Sequence, residues 1–393
     1  MKRSIIVSAL FLLAAGSLFA QTMLDAAAPK DARTMAMGGA FVAMSQGYQS
    51  LYGNPATYAD KKAEFTLLSV TPWVYVRPTT DNIALFQNLA ASISSGSSNP
   101  ADVIDPLSDL ITDNGFGGGM SAGLGWVGKG LGLGLVGSGE AYVHGDTLLG
   151  ATGRLDGQIS AIVGVGAPLQ LGPFRVQIGG DVRPYLRATG PIVGTDLLGL
   201  MTGKQTDGTT PFDAMSIPVD LGFGLAVDLG ARIDFGTLAS VGLAVRDIST
   251  KQNFSHTTLG DALDSLGGGA LPANATAEYP VYPNVTLGAS LSPIPVRLRS
   301  LVDVTLTAEI QDPVNVYVDH ASVWNVFHAG VETNLLGGLF ALRGGINKGW
   351  LSLGAGFKLL IMQVNVAVFT EELGPRPGDQ PRTGVSLEAA IRF

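Results

Sequence analysis

Cysteine is absent from the 393 residues, which excludes a disulfide scaffold and any thiolate nucleophile or ligand. Charge is sparse. Asp, Glu, Lys and Arg make up 14% of the chain, where soluble domains carry about 25%. With 24 Lys+Arg against 32 Asp+Glu the balance is acidic, which excludes a basic surface for nucleic acid. A hydrophobic share of 46% is too high for a disordered tail. Long apolar runs are missing too. Past the N-terminus each apolar stretch is broken by Gly, Asp, Arg, Ser or Pro before the roughly 18 residues of a spanning helix. Yet the mean hydropathy is +0.31. A chain that is apolar overall but not in blocks fits transmembrane β-strands, where only alternate side chains meet lipid. Glycine is what the chain has in excess: 53 residues, about twice the ordinary share.

Lys2 and Arg3, the apolar run 5–13 and the small-residue stretch 14–20 read as a secretory leader cut after Ala20. The mature chain then shows a period of two. In the last eleven residues Val385, Leu387, Ala389, Ile391 and Phe393 share one face, opposite Ser386, Glu388 and Arg392. The same alternation recurs near 64–77, 118–128, 131–144, 156–167, 173–187, 217–231, 235–247, 281–292, 299–310, 323–335, 338–347, 350–360, 361–371 and 383–393. That is about fourteen strands, an even number as bacterial barrels require. The first is the least regular, since neither of its faces is clearly polar.

Connection lengths support the same reading. If the chain enters from the periplasm, odd connections should be long outer loops and even ones short turns. The connections 78–117, 145–155, 188–216, 248–280, 311–322 and 372–382 are long and odd-numbered; 348–349 is the one short odd connection. A soluble sandwich has no reason to sort its loops in this way. The expected fold is an all-β, transmembrane antiparallel barrel of about 14 strands. Such a ring is too wide for side chains to fill. The preceding segment 21–60 lacks the period-two pattern; its small and apolar residues favour a plug in the lumen over the alternative, a solvent-exposed periplasmic tail. Residues 61–393 form the barrel.

Alternation also predicts charges facing the lumen: Arg175, Asp181, Arg183, Asp220, Asp228, Asp303, Glu309, His328, Glu332, Arg343, Lys358 and Glu388. Both signs occur, which suits ion pairing between wall and plug, with Arg33 a candidate partner for a wall carboxylate. Enzyme motifs are explained by glycine content. The repeats at Gly123–Gly128 and Gly132–Gly137 satisfy a dinucleotide fingerprint without opening a helix. The Gly119-Met-Ser121-Ala-Gly123 match lies in a strand. His144, His256, His320 and His328 have no ligand spacing, so no metal site, cofactor or catalytic residue is expected.

Arg33-Thr-Met-Ala-Met37-Gly38-Gly39-Ala-Phe41-Val-Ala, followed by Leu51-Tyr-Gly-Asn54-Pro55-Ala56, resembles the N-terminal hatch of the FadL/TodX family. These are outer-membrane transporters of long-chain fatty acids and other hydrophobic molecules in diderm bacteria. The branch it resembles most also includes PorV-like proteins of secretion systems. The resemblance implies a hatch-plugged fourteen-stranded barrel, ligand capture near the outer loops, hatch displacement and a sideways exit through a kinked third strand. The matching strand here holds Gly132, Gly134, Gly137 and Gly139, expected either to kink or to leave room for the plug. The terminal Phe393 resembles the signal read by the outer-membrane assembly machinery. Apolar helix-like runs at 83–93, 103–111 and 192–201 are expected to supply the capture groove that the resemblance implies, or else to lie on the outer leaflet or dock another protein. The expected function is passive uptake of hydrophobic molecules, long-chain fatty acids first, in contact with outer-membrane lipids. The alternatives are a PorV-like secretion partner or a non-selective porin.

Overall fold

A strand with two unlike faces needs a neighbour on each edge, and this chain supplies them all by closing on itself. The computed structural model describes residues 29–95, 101–205, 207–248, 251–266, 277–281, 283–318 and 320–393; the leader expected at 1–20 lies outside them. Its strands are β1 (Glu64–Tyr75), β2 (Phe116–Gly128), β3 (Leu131–His144), β4 (Thr152–Leu171), β5 (Phe174–Val193), β6 (Pro218–Phe235), β7 (Ala239–Arg246) and β8 (Lys251–Thr258). There follow β9 (Ala277–Pro280), β10 (Asn284–Leu291), β11 (Val302–Gln311), β12 (Phe327–Leu335), β13 (Phe340–Asn347), β14 (Trp350–Leu359), β15 (Met362–Glu372) and β16 (Pro381–Arg392).

Strands β1 to β7 pair in order, β7 pairs with β10, β10 to β16 pair in order, and β16 returns to β1. All pairings are antiparallel, and the closed ring has fourteen strands. The two remaining segments are continuations. β6 pairs with β7 through Leu229–Phe235 and with β8 through Pro218–Gly224, and β9 lies beside β8. Where β7 gives way to β8, Asp247 takes φ 58° and its N–H donates to Asp228 Oδ1 at 2.7 Å instead of to the ladder. The region 248–280, expected as a loop, therefore carries two strand halves that rise above the expected ones.

The ring is inside out relative to a soluble protein. Along β16 the exposed or half-exposed Val385, Leu387, Ala389 and Ile391 alternate with buried Ser386, Glu388, Ala390 and Arg392. Leu351 is 74% exposed and Val165 63%, whereas Gln177 is 0% and Asn365 1% exposed. An apolar outer belt of this extent is stable only against lipid. Aromatic pairs mark its borders. Phe65–Phe393, Phe174–Phe235 and Phe340–Phe357 sit at the end with short turns, and Trp324–Phe327 at the other. Such girdles match the two bilayer interfaces.

The weak period of the first strand has a local cause. β1 shifts register against both neighbours between Thr66 and Ser69, a bulge that holds one extra residue. Leu67 and Leu68 both face outward, and the phase inverts beyond them. Below the bulge Phe65 faces out; above it Val70, Pro72 and Val74 do, while Thr71, Trp73 and Tyr75 point in.

The short turns lie at one end, except Lys348-Gly349 between β13 and β14. Lys129-Gly130 has φ 55° and 89°, both left-handed, as the tightest hairpins require. The longer connections lie at the other end and carry helices Thr80–Ser95, Ala101–Asn114, Gly194–Thr202, Leu259–Leu266 and Pro313–Val318. β4 and β5 run 20 residues each, well past the 9–11 or so needed to cross a bilayer. Helix Leu259–Leu266 covers the apolar surface that this extra length presents: Ala262 packs with Val219 and Leu221, and Leu155, Leu186 and Ala188 join them.

Candidate functional site

Residues 29–60 form short turns of helix, and their contacts reach inward-facing positions on most of the strands. The helix Ala32–Ala36 is capped by Asp31, whose Oδ1 accepts the Thr34 N–H at 3.0 Å. Its Arg33 forks onto Glu332 of β12, Nε to Oε2 at 2.8 Å and Nη2 to Oε1 at 2.9 Å. Arg343 of β13 donates to the same carboxylate at 2.6 Å and to Asn365 of β15 at 2.9 Å. Asn365 donates to Glu388 of β16 at 2.7 Å, and Glu388 also pairs with Arg392. One network thus runs from the N-terminal segment across four strands. Burial works against the Arg33 charge and Glu332 more than offsets it, so its pKa rises. Burial, with Glu388 nearby, holds the Asp31 carboxyl above its usual range.

The hatch-like motif is spread over the wall by backbone contacts. The Gly38 carbonyl accepts from His328 Nδ1 at 2.8 Å, and the Gly39 carbonyl from Gln311 at 2.8 Å. Gly38 has φ 67° and lies on the Ile346 backbone of β13, so a side chain is excluded twice over. Met37 is buried over Gly330, and Glu309 accepts the N–H groups of Val42 and Ala43. Phe41 is half-buried against Gly53. Asn54 donates to the carbonyls of Val42 and Ala231, both at 3.2 Å, while its Oδ1 accepts from Ala56. Pro55 and Ala56 rest on Gly179 and Gly230. Tyr58 donates to Asp181 at 2.8 Å.

This explains much of the glycine excess: inward positions lack a Cβ where the segment lies on them. A Cβ at Gly132 would stand 2.5 Å from the Tyr58 ring, and one at Gly134 would meet Leu51. Gly137 and Gly139 have ordinary room. Of the two roles expected for these four residues, leaving room for the N-terminal segment is met at Gly132 and Gly134. β3 pairs with β2 and β4 without a register shift over its whole length, because two of its glycines serve packing and the ladder is unbroken.

The remaining expected lumen charges fall into separate groups. Arg183 bridges Asp228, at 3.2 Å, and Asp247, at 2.6 Å, and Arg246 approaches Asp228 at 3.4 Å. Arg175 stands 4.0 Å from Asp60, Asp303 is 3.6 Å from Arg299, and Asp220 pairs with His256. Lys358 is exposed. Alternation alone did not single out Asp247, which sits in the left-handed break. It also did not single out Arg382, which lies 4.1 Å and 4.9 Å from the Tyr75 and Tyr142 ring centres while pairing with Glu371 at 3.0 Å.

At the long-loop end the chemistry changes. Leu89, Val103, Leu107, Leu110 and Ile111 of the first outer loop pack with Phe116, Val143, Ile192 and Leu198 in one apolar cluster. Beside it lies a pocket of about 270 Å³ walled by Phe116, Tyr142, Ile192 and Leu197 over Gly117 and Gly118. A cavity of about 150 Å³ holds benzene, so this pocket has room for a substituted ring or a length of acyl chain. The Tyr142 hydroxyl donates to the Asn114 carbonyl at 2.8 Å, and Asn114 is bonded to Thr383 at 2.8 and 3.0 Å. The pocket floor is thereby tied to β16.

No family model and no curated protein matches the chain. Among solved structures it is similar to the Ralstonia pickettii toluene transporter TbuX, with 12% identity over 95% of this chain and 99% of that one, TM-score 0.48. It is also similar to the monoaromatic hydrocarbon channel CymD (12% identity, 95% and 98% covered, TM-score 0.49). The P. putida toluene transporter TodX is a third (12% identity, 91% and 96% covered, TM-score 0.46).

Proposed function

We propose that the chain is a FadL/TodX-type channel of a diderm outer membrane that takes up hydrophobic molecules passively. In this reading residues 1–20 are the leader, 21–60 the plug, and 61–393 the barrel. The observation that carries it is the lipid-facing ring whose inner wall is ion-paired and hydrogen-bonded to residues 30–60 from many sides. These contacts support a closed rather than an open pore, and an apolar pocket lies at the long-loop end, where a ligand from outside would arrive first. Long-chain fatty acids are the substrate that the sequence resemblance implies. The pocket takes part of such a chain or a whole monoaromatic ring. Phe393 stacks on Phe65 with ring centres 6.2 Å apart and exchanges backbone hydrogen bonds with it, so it takes part in closing the ring.

Labelled oleate and labelled toluene are offered to a deletion strain and its parent. Reduced uptake of either in the deletion strain supports the reading and assigns the substrate. Equal uptake, with the barrel at normal level in the parent, overturns it. In planar bilayers the purified protein should be nearly silent, whereas steady conductance would indicate a porin.

A further inference from the structure

A second cavity, of about 350 Å³, lies at the short-turn end, bounded by Gly337 and Gly338 of the β12–β13 turn. Unlike the outer pocket it is polar, and basic side chains outnumber acidic ones in its lining. Arg33, Arg299, Arg343, Lys358 and Arg392 line it, against Glu64, Asp303 and Glu332. Glu332 is already engaged by Arg33 and Arg343 together. Glu64 accepts the Tyr48 N–H at 2.9 Å and comes only within 4.0 Å of Arg392. Among the described residues no carboxylate lies within ion-pair distance of Lys358, and the buried Nε of Arg392 has no acceptor, although that side chain is 8% exposed. Arg392 also pairs with Glu388, so the charge left without a counterpart is that of Lys358, and the unmet donor is the Arg392 Nε.

We propose that this cavity is a binding site for one anionic head group, a carboxylate or a phosphate. Guanidinium and ammonium groups only donate, so their complement is an acceptor-only anion, and such charge-assisted bonds are roughly twice as strong as neutral ones. A neutral alcohol of the same size has its own hydroxyl proton and no charge to set against the surplus. Arg33 belongs to the N-terminal segment and Arg343 to the wall, so the bound anion sits at their joint. The site is distinct from the apolar pocket, and it is read at equilibrium without transport. Its failure is therefore separable from failure of the uptake reading.

The full chain in non-ionic detergent at fixed ionic strength is titrated calorimetrically with hexanoate, hexanol and inorganic phosphate. Hexanoate is expected to bind at least tenfold more tightly than hexanol. Lys358→Gln is expected to weaken anion binding at least fivefold, and Lys358→Arg to restore most of it. Lys358 has no partner to lose, so neither variant should disturb folding. Binding of hexanoate without phosphate assigns the site to the head group of an amphiphile, and binding of phosphate alone to the free anion; either supports the proposal. Equal affinity for hexanoate and hexanol with no phosphate binding overturns it, as does anion binding unchanged in Lys358→Gln.

Discussion

Glu332→Gln tests whether the ion-pair network holds the N-terminal segment to the wall. The substitution keeps the shape of the side chain and removes the charge that two guanidinium groups share at 2.6–2.9 Å. The side chains of Arg33 and Arg343 are 10% and 3% exposed, so neither regains much hydration. Removing one partner of a buried pair costs about 3–5 kcal/mol. The ladders of β12 with β11 and β13 are backbone bonds and remain. The loss should therefore appear as local opening rather than global melting. At about 1.4 kcal/mol per decade it raises the opening equilibrium of residues 32–39 by roughly 10²- to 4 × 10³-fold. Hydrogen exchange followed by mass spectrometry in detergent reads this directly. Exchange there should accelerate by that factor while the strands stay protected. Adding Arg33→Met, which removes one stranded charge, should recover part of it. Exchange of residues 32–39 within threefold of wild type, in a folded variant, would refute the claim that this network is the tether.

Other outcomes follow from single contacts. Gly132→Ala should destabilise the segment by about 1–3 kcal/mol through overpacking on Tyr58, while Gly137→Ala should be nearly silent; paired denaturation curves compare them, and equal effects would remove the packing role. Ala141→Leu fills the outer pocket and should lower uptake of a bulky hydrophobic substrate at least severalfold with assembly unchanged, measured by labelled uptake against surface barrel level. Phe393→Ala loses a stacked ring at the seam and should cut the fraction of heat-modifiable, assembled barrel on gels. Asp247→Ala leaves Arg183 with Asp228 alone and should cost about 3 kcal/mol or more of stability, checked by urea unfolding.

The ring was legible because each strand repeats one physical constraint, lipid on one side and polar lumen on the other, and because loop length alternates with strand number. Legibility failed where the backbone departs from the ladder. The left-handed Asp247 ends β7 before β8 begins, and the polar sequence of Lys251–Thr258 reads as loop. β1 reads as ambiguous because one extra residue inverts its phase midway. In the interior, alternation placed Glu332 and Arg343 toward the lumen. It did not reveal that Arg33, 299 residues from Glu332, shares that carboxylate with Arg343, because that depends on how the ring closes. The glycines of β3 are ambiguous for a related reason: the sequence shows the missing side chain but not the Tyr58 ring that takes its place.

The bulge in β1 has a consequence for sequence change. Registers on both flanks are regular above and below Leu67 and Leu68, so the surplus belongs to this strand alone. Losing either leucine would leave Thr66 pointing inward, one leucine outward and Ser69 inward, with no other residue re-faced. A codon can therefore come or go at this place without moving the opposite seam, so comparisons by hydropathy phase between this strand and its counterparts slip by one.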